Sequence, residues 1–230
     1  STGVAMTKAA PYKTVLSHGF VLDGVGNKMS KSMGNVIDPM KMSSRYGADL
    51  LRLWVASVEY TADVRISDDI IKQTSETYRK IRNTFLLGNL FDYDEKENRV
   101  DYNDMPEIDQ YMVNSLNQLI DRTLTAYQNY NFDEVYRLII TYVTNNLSAF
   151  YFDFTKDVLY SEAENNLERR SIQTVFFDNL YALVRLLTPI IPFTTEEVYS
   201  HMNIEDKKES VYLTSMPRVS RYANTKELLT

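Results

Sequence analysis

The chain has 230 residues, 44% hydrophobic and 24% charged, with a formal net charge of −6. Without cysteine and with only two histidines, His18 and His201, it can build no disulfide framework, no thiolate metal site and no histidine-rich one. The acidic balance disfavours a dedicated nucleic-acid binder but is uneven: residues 1–66 carry eight Lys/Arg against five Asp/Glu, residues 67–230 seventeen against twenty-six, so any polyanion contact must be local.

No apolar run approaches the roughly 20 residues that span a bilayer. The opening stretch, "STGVAMTKAAPYK", lacks the continuous apolar core of a signal peptide and is loop-like. The chain is therefore expected to be a piece of a longer cytoplasmic protein. Its length suits one large or two modest domains.

Glycine divides the sequence: six of seven lie within the first 47 residues, and only Gly88 follows. Turns and close backbone approaches belong to the first part, helices to the second. Thr14-Val15-Leu16 and Phe20-Val21-Leu22 read as strands running into the turn residues Asp23-Gly24. His18 at that strand edge is expected to be structural. After the loop "GNKMSKSMGNV" a helix starts, with Asp38 as cap and Pro39 at its first position. A second helix begins near Ala48, with Leu50, Leu51, Trp54, Val55 and Val58 as its apolar face and Trp54 expected to pack rather than stack.

From Ser67 the 3.6-residue period dominates. Ile71, Thr74, Tyr78, Ile81 and Phe85 mark one helix; Ile108, Met112, Leu116, Leu119 and Leu124 mark the next. A third is expected to open on a capping box, Asn131 with Glu134, and a Tyr130–Val135 staple. It runs through Leu138, Ile139, Tyr142, Leu147, Phe150 and Phe154. A fourth takes in Ile172, Val175, Phe176, Leu180, Leu183 and Leu187, stopping at Pro189. A short fifth is expected to use Thr194 as cap, Glu197 at its third position and a Phe193–Val198 staple. The prediction is a mainly α chain, a bundle of four main helices and a short fifth, with most aromatics in its core.

Lys28 and Lys31 alternate with Ser30 and Ser32 between Gly26 and Gly34. As residue types alone they suit solvated loop charges. They also suit a substrate that develops negative charge, such as a departing pyrophosphate: an ammonium is a compact charge on a flexible stem, and a mobile glycine-flanked loop can tighten on the transition state more than on the ground state.

Lys28-Met29-Ser30-Lys31-Ser32 matches the KMSKS signature of class I aminoacyl-tRNA synthetases letter for letter, after strands and before a helix. "SHGFVLDGVGNKMSKSMGNVIDP", "YGADLLRLWVASVEYTADVRIS", "YRKIRNTFLLGNL", "AFYFDFTKDVLY" and "RLLTPIIPFTTEEVY" resemble the bacterial-type isoleucyl-tRNA synthetase family. Gly19-Phe20-Val21-Leu22-Asp23 and Asp63-Val64-Arg65-Ile66-Ser67 look isoleucyl rather than valyl.

The resemblance implies that residues 1–45 are the C-terminal end of a Rossmann-like α/β catalytic domain and 46–66 a stem-contact connection. Residues 67–215 would be an anticodon-binding helical bundle and 216–230 a tail. It implies ATP-dependent activation of isoleucine, with Mg2+, and transfer to tRNA(Ile). The loop Lys28, Met29, Ser30, Lys31 and Ser32 would contact ATP, Lys28 and Lys31 carrying the catalytic charge. Lys72, Arg79, Lys80 and Arg82 form the best basic cluster for tRNA, though a solvated face is equally natural. Arg169-Arg170 is a second, read more readily as an ion pair with Glu164 or Glu168 at a helix start. The His-Ile-Gly-His signature, an amino-acid pocket, an editing insertion and a zinc-bearing C-terminal module do not occur here. The chain is therefore expected to be inactive alone, monomeric and cytoplasmic, with zinc only in that further module. Rival readings are a valyl or leucyl relative, a free-standing tRNA-binding helical module, and a purely structural bundle.

Overall fold

The structure is a computed structural model that describes residues 2–85 and 87–220. The rest of the expected tail, 221–230, lies outside the described residues. The chain divides into two compact units: residues 1–37 with 59–67, and residues 38–58 with 68–230.

The smaller unit holds a short helix α1 (Thr2–Thr7), strand β1 (Val21–Leu22) and strand β2 (Val64–Arg65). β1 and β2 are parallel, Val21 opposite Val64 and Leu22 opposite Arg65. The Val64 amide donates to the Phe20 carbonyl at 2.9 Å and the Ile66 amide to that of Leu22 at 3.0 Å. Asp63 fastens the entry to β1 by accepting the Phe20 amide at 2.7 Å. The expected strand at Thr14–Leu16 does not form, and Val15 and Leu16 are exposed. β-Branched residues favour a strand only where a ladder and a packed face are available.

The larger unit starts with α2 (Pro39–Tyr46), capped as expected by Asp38, whose carboxylate accepts the Met40 amide at 2.9 Å. α3 (Ala48–Ser57) buries Leu50, Leu53, Trp54 and Ala56. Val55, expected on that face, is exposed, and Leu53 takes the place given to it. α4 (Asp68–Asn83) buries Ile71, Thr74 and Ile81, and Phe85 follows into the core. After a short α5 (Glu95–Asn98), α6 (Glu107–Gln128) turns Met112, Leu116 and Leu119 inward.

α7 (Phe132–Thr141), a π-helical stretch (Tyr142–Phe152) and α8 (Asp153–Ser161) form one continuous helical path. Asn131 makes no side-chain cap, so the expected capping box is absent. Tyr130 is strained into the left-handed region at φ 59° and meets Phe132 edge-on. The π-helical stretch corrects a second expectation. Phe150 and Phe154 are exposed, and the buried positions are Val143, Leu147, Tyr151, Thr155 and Leu159. Those residues recur every four positions. In an ordinary helix four such steps would rotate the face by about 160°; i→i+5 bonding widens the turns and keeps them on one side.

α9 (Leu167–Leu187) is buried on nearly every face and forms the centre of the bundle. Its Val175, Phe176, Leu180, Leu183 and Leu187 join Met112 and Leu116 of α6, Ile139 of α7 and Leu147 in one core. α10 (Pro192–His201) closes the unit. Its expected cap is also corrected: the Thr194 side chain makes no cap, and its hydroxyl donates to Asp49 of α3. An ionised carboxylate at a helix N-terminus is a stronger partner than a hydroxyl. Phe193 is exposed, so the expected staple is not made. Among the described residues the architecture is mainly α, and after Ser67 the expected helical paths form as α4, α6, α7 with α8, α9 and the short α10, as the periodicity predicted.

Candidate functional site

Lys28 leaves a turn that begins at Asp23. Asp23 Oδ1 accepts the Val25 and Asn27 amides at 3.1 and 2.8 Å, and Lys28 bridges back to Leu22. Ser30 then caps a single 3-10 turn, Lys31–Met33, its hydroxyl accepting the Met33 amide at 3.3 Å and lying 3.1 Å from that of Ser32. Gly26 and Gly34 stand at φ 92° and 66°, conformations that let the loop reverse at both ends. Met29 is partly buried, and its Sδ accepts the Ile37 amide. The five residues thus divide by role: Met29 and Ser30 hold the loop, Ser32 meets Ser30, and the two lysines are exposed. The Lys28 ammonium lies 5.1 Å from the Phe20 ring centroid. Among the described residues neither lysine has a salt-bridge partner, so both charges are open to an external anion.

Asn35 completes the loop. Its Oδ1 accepts the Ser30 amide at 2.9 Å, and its Nδ2 donates to Asp23 Oδ2 at 2.8 Å and to the Lys28 carbonyl at 3.4 Å. The Asn35 hydrogen bond, with the amides of Asn27, Val25 and Gly26, holds the Asp23 carboxyl below its ordinary range. In the sequence Asp23 is marked only as a turn residue and Asn35 not at all, because nothing local says that residues twelve apart meet. His18 is exposed, and its Nδ1 lies 2.7 Å from the Gly19 carbonyl.

In the larger unit, Lys72, Arg79, Lys80 and Arg82 are all exposed along α4. Lys72 is held by Asp69 at 3.5 Å and Arg79 by Glu76 at 2.9 Å. Lys80 and Arg82 have no salt bridge among the described residues, which makes them the more available half of the cluster. Arg169 and Arg170 are not surface groups. Both are buried, Arg169 paired with Asp92 at 2.6 Å and Arg170 with the same carboxylate at 3.5 Å, rather than with Glu164 or Glu168. Trp54 is buried as packing.

Two further surface features were not legible in the sequence. Phe150 and Phe154, thrown outward by the π-helical register, present aromatic faces one turn apart, and Tyr111 of α6 supports Phe150 edge-on at 6.2 Å. A cleft of about 340 Å3 with a mixed lining runs between α6 and α7; Gln118, Arg122, Arg137 and Asn146 are its polar side and Leu119 and Leu138 part of its apolar one. A larger apolar groove includes Arg52, but that guanidinium is spent on the Pro189 and Ile190 carbonyls. No group of three or more His, Asp or Glu side chains among the described residues could hold a metal. No described helix is long and apolar enough to cross a membrane.

The chain belongs to the family of anticodon-binding domains of tRNA ligases, whose model matches residues 109–229. Residues 1–67 match a second model, described as tRNA synthetases class I (I, L, M and V). The chain is 54% identical to the isoleucine–tRNA ligase of Bacillus subtilis over 227 residues, 98% of this chain and 24% of that protein. It is 55% identical to the isoleucine–tRNA ligase of Geobacillus kaustophilus over 94% of this chain. It therefore spans about a quarter of the length of these relatives. In fold it is similar to an Agrobacterium radiobacter LeuRS–tRNA–LeuAMS ternary complex, with TM-score 0.67, 22% identity, 88% of this chain and 23% of that one. It is also similar to Mycobacterium tuberculosis methionyl-tRNA synthetase in complex with methionyl-adenylate, with TM-score 0.63, 20% identity, 79% of this chain and 36% of that one.

Proposed function

We propose that this chain is part of an isoleucine–tRNA ligase, supplying the lysine loop that serves ATP-dependent activation of isoleucine and the bundle that binds tRNA(Ile). The observation that carries the reading is the pair of exposed ammonium groups, Lys28 and Lys31, on a loop whose main chain is tied at the Lys28 carbonyl and at the Ser30, Met33 and Gly34 amides. Identity above 50% to isoleucine–tRNA ligases across nearly the whole chain supports it. In that reaction the isoleucine carboxylate attacks the α-phosphate of ATP and pyrophosphate leaves, so charge builds on the bridging and terminal phosphate oxygens. Lys31, with Lys28, offsets that charge; Ser30 and Ser32 shape the turn. Mg2+ would arrive with the nucleotide, and zinc would belong to a module beyond these residues. Residues 1–45, 46–66 and 67–215 would serve as catalytic end, connection and tRNA-binding bundle.

The bundle's RNA contacts are assigned to Lys80 and Arg82, with Lys72 and Arg79 as neighbours, and to the Phe150–Phe154 pair, since splayed RNA bases stack on exposed aromatics. Binding of this chain to isoleucine and valine tRNA transcripts across a salt series tests the reading. It requires tighter binding to the isoleucine tRNA and weakening as salt rises. Equal binding to both would point instead to a tRNA-binding module without isoleucine specificity. The chain alone is expected to give no isoleucine-dependent pyrophosphate exchange.

A further inference from the structure

The lysine loop carries its charges on side chains that make no hydrogen bond among the described residues, yet its main chain is held at several points, two of them by the one side chain of Asn35. Asn35 accepts the Ser30 amide and donates to the Lys28 carbonyl, so the main chain is clipped on both sides of Met29, between the two lysines. An ionised carboxylate only accepts. Asp23 therefore dictates which end of the Asn35 amide is the donor and leaves Asn35 Oδ1 facing Ser30. The Asp23 carboxylate is itself rooted in the turn leaving β1, through the Val25 and Asn27 amides. Gly34, in the left-handed region, brings Asn35 back under the loop it follows.

We propose that Asn35, oriented by Asp23, is a positioning residue that sets the main-chain conformation of Lys28-Met29-Ser30-Lys31 and so the approach of both ammonium groups to a polyphosphate. This rests on the reading of the loop as a polyphosphate contact. Removing the amide leaves both charges in place and loosens the frame that aims them. Stabilisation from a loosened loop is weakened because the ordering of the loop must then accompany binding.

Trypsin cuts after lysine, so cleavage after Lys28 and Lys31 reads the order of this loop directly on the chain as it stands. N35A and D23N are each expected to raise cleavage at these two sites about tenfold, the scale of one or two lost hydrogen bonds. Cleavage after Lys72 on α4 should not change. The double variant should exceed neither single one, because the two residues act as one unit. Inorganic tripolyphosphate should protect both sites in the unsubstituted chain, and N35A should raise the half-protecting concentration about tenfold. Unchanged cleavage, additive effects or an unchanged half-protecting concentration would overturn the proposal. So would an equal rise after Arg65 on β2, which would show the whole unit opening. If tripolyphosphate fails to protect the unsubstituted chain, the polyphosphate reading falls, and the cleavage rates still decide whether Asn35 and Asp23 hold the loop.

Discussion

Asp49 in the first turn of α3 grips Thr194 in the first turn of α10 twice: one carboxylate oxygen accepts the Thr194 amide at 2.7 Å and its hydroxyl at 2.6 Å. The Tyr78 hydroxyl of α4 lies 2.8 Å from the same Thr194 oxygen, so three helices meet at one side chain. Replacing Asp49 with Ala leaves a buried helix N-terminus without its acceptor and should cost about 2–3 kcal/mol. T194V removes only the hydroxyl and should cost about 1 kcal/mol. Urea denaturation of both variants checks the order; equal losses would show that the amide contact contributes little.

The two asparagines before long helices should behave differently on truncation. Asn166 caps α9, its side chain accepting the Glu168 and Arg169 amides, while Asn131 before α7 caps nothing. N166A should lose about 1 kcal/mol, and N131A a few tenths at most. A comparable loss in N131A would contradict the cap geometry.

Acid should act with opposite sign on two aspartates, the half-buried Asp92 and the buried Asp109. Burial alone would raise the Asp92 pKa, but hydrogen bonds from Arg169 and Gln173 and the charges of Arg169 and Arg170 together hold it below the ordinary value of 3.8. Its contribution is therefore present above that value and is lost as pH falls through the lower, folded pKa. Burial raises the Asp109 pKa, against hydrogen bonds from Ser171 and Tyr151. Asp109 contributes fully below 3.8, and its contribution is lost as pH rises through the raised pKa. Stability measured from pH 2 to 7 should fall less steeply toward acid in D92N, and decline less from acid toward neutrality in D109N. A D92N profile parallel to the unsubstituted one would rule out this pairing as a source of acid sensitivity.

On the bundle surface, charge removal should separate free from paired cations. K80A and R82A should each lower the salt slope of tRNA binding by about one. R79A should lower it less, because Arg79 is already bound to Glu76. F154A should leave stability within about 0.5 kcal/mol, while L147A, in the core, should cost about 2–5 kcal/mol. If F154A also leaves tRNA affinity intact, the stacking assignment fails.

In an intact ligase carrying these residues, K31A should lower the rate of adenylate formation about a hundredfold, on the scale of losing one preorganised charge. The KM for ATP should move much less, as expected for a group that acts mainly in the transition state. An unchanged rate with a raised KM would make Lys31 a binding residue only.

Local chemistry carried most of the architecture. Apolar spacing located α4, α6 and α9, Asp38-Pro39 marked a helix start, and five consecutive letters marked the lysine loop. These are properties of neighbours in the chain, set by helix period, capping and residue type. What the sequence could not decide came from partners far along it. Val64–Arg65 pairs with β1 some forty residues earlier, Thr194 gives its hydroxyl to Asp49 rather than capping its own helix, and Arg169 turns inward to Asp92. The π-helical register moved Phe150 and Phe154 from the expected core to the surface, because i→i+5 bonding changes the period on which the reading depended. Asp23 and Asn35 each look ordinary in the sequence. Only the folded turn brings the carboxylate, the amide and the lysine loop within hydrogen-bond distance, because such bonds depend on position in space and not on spacing along the chain.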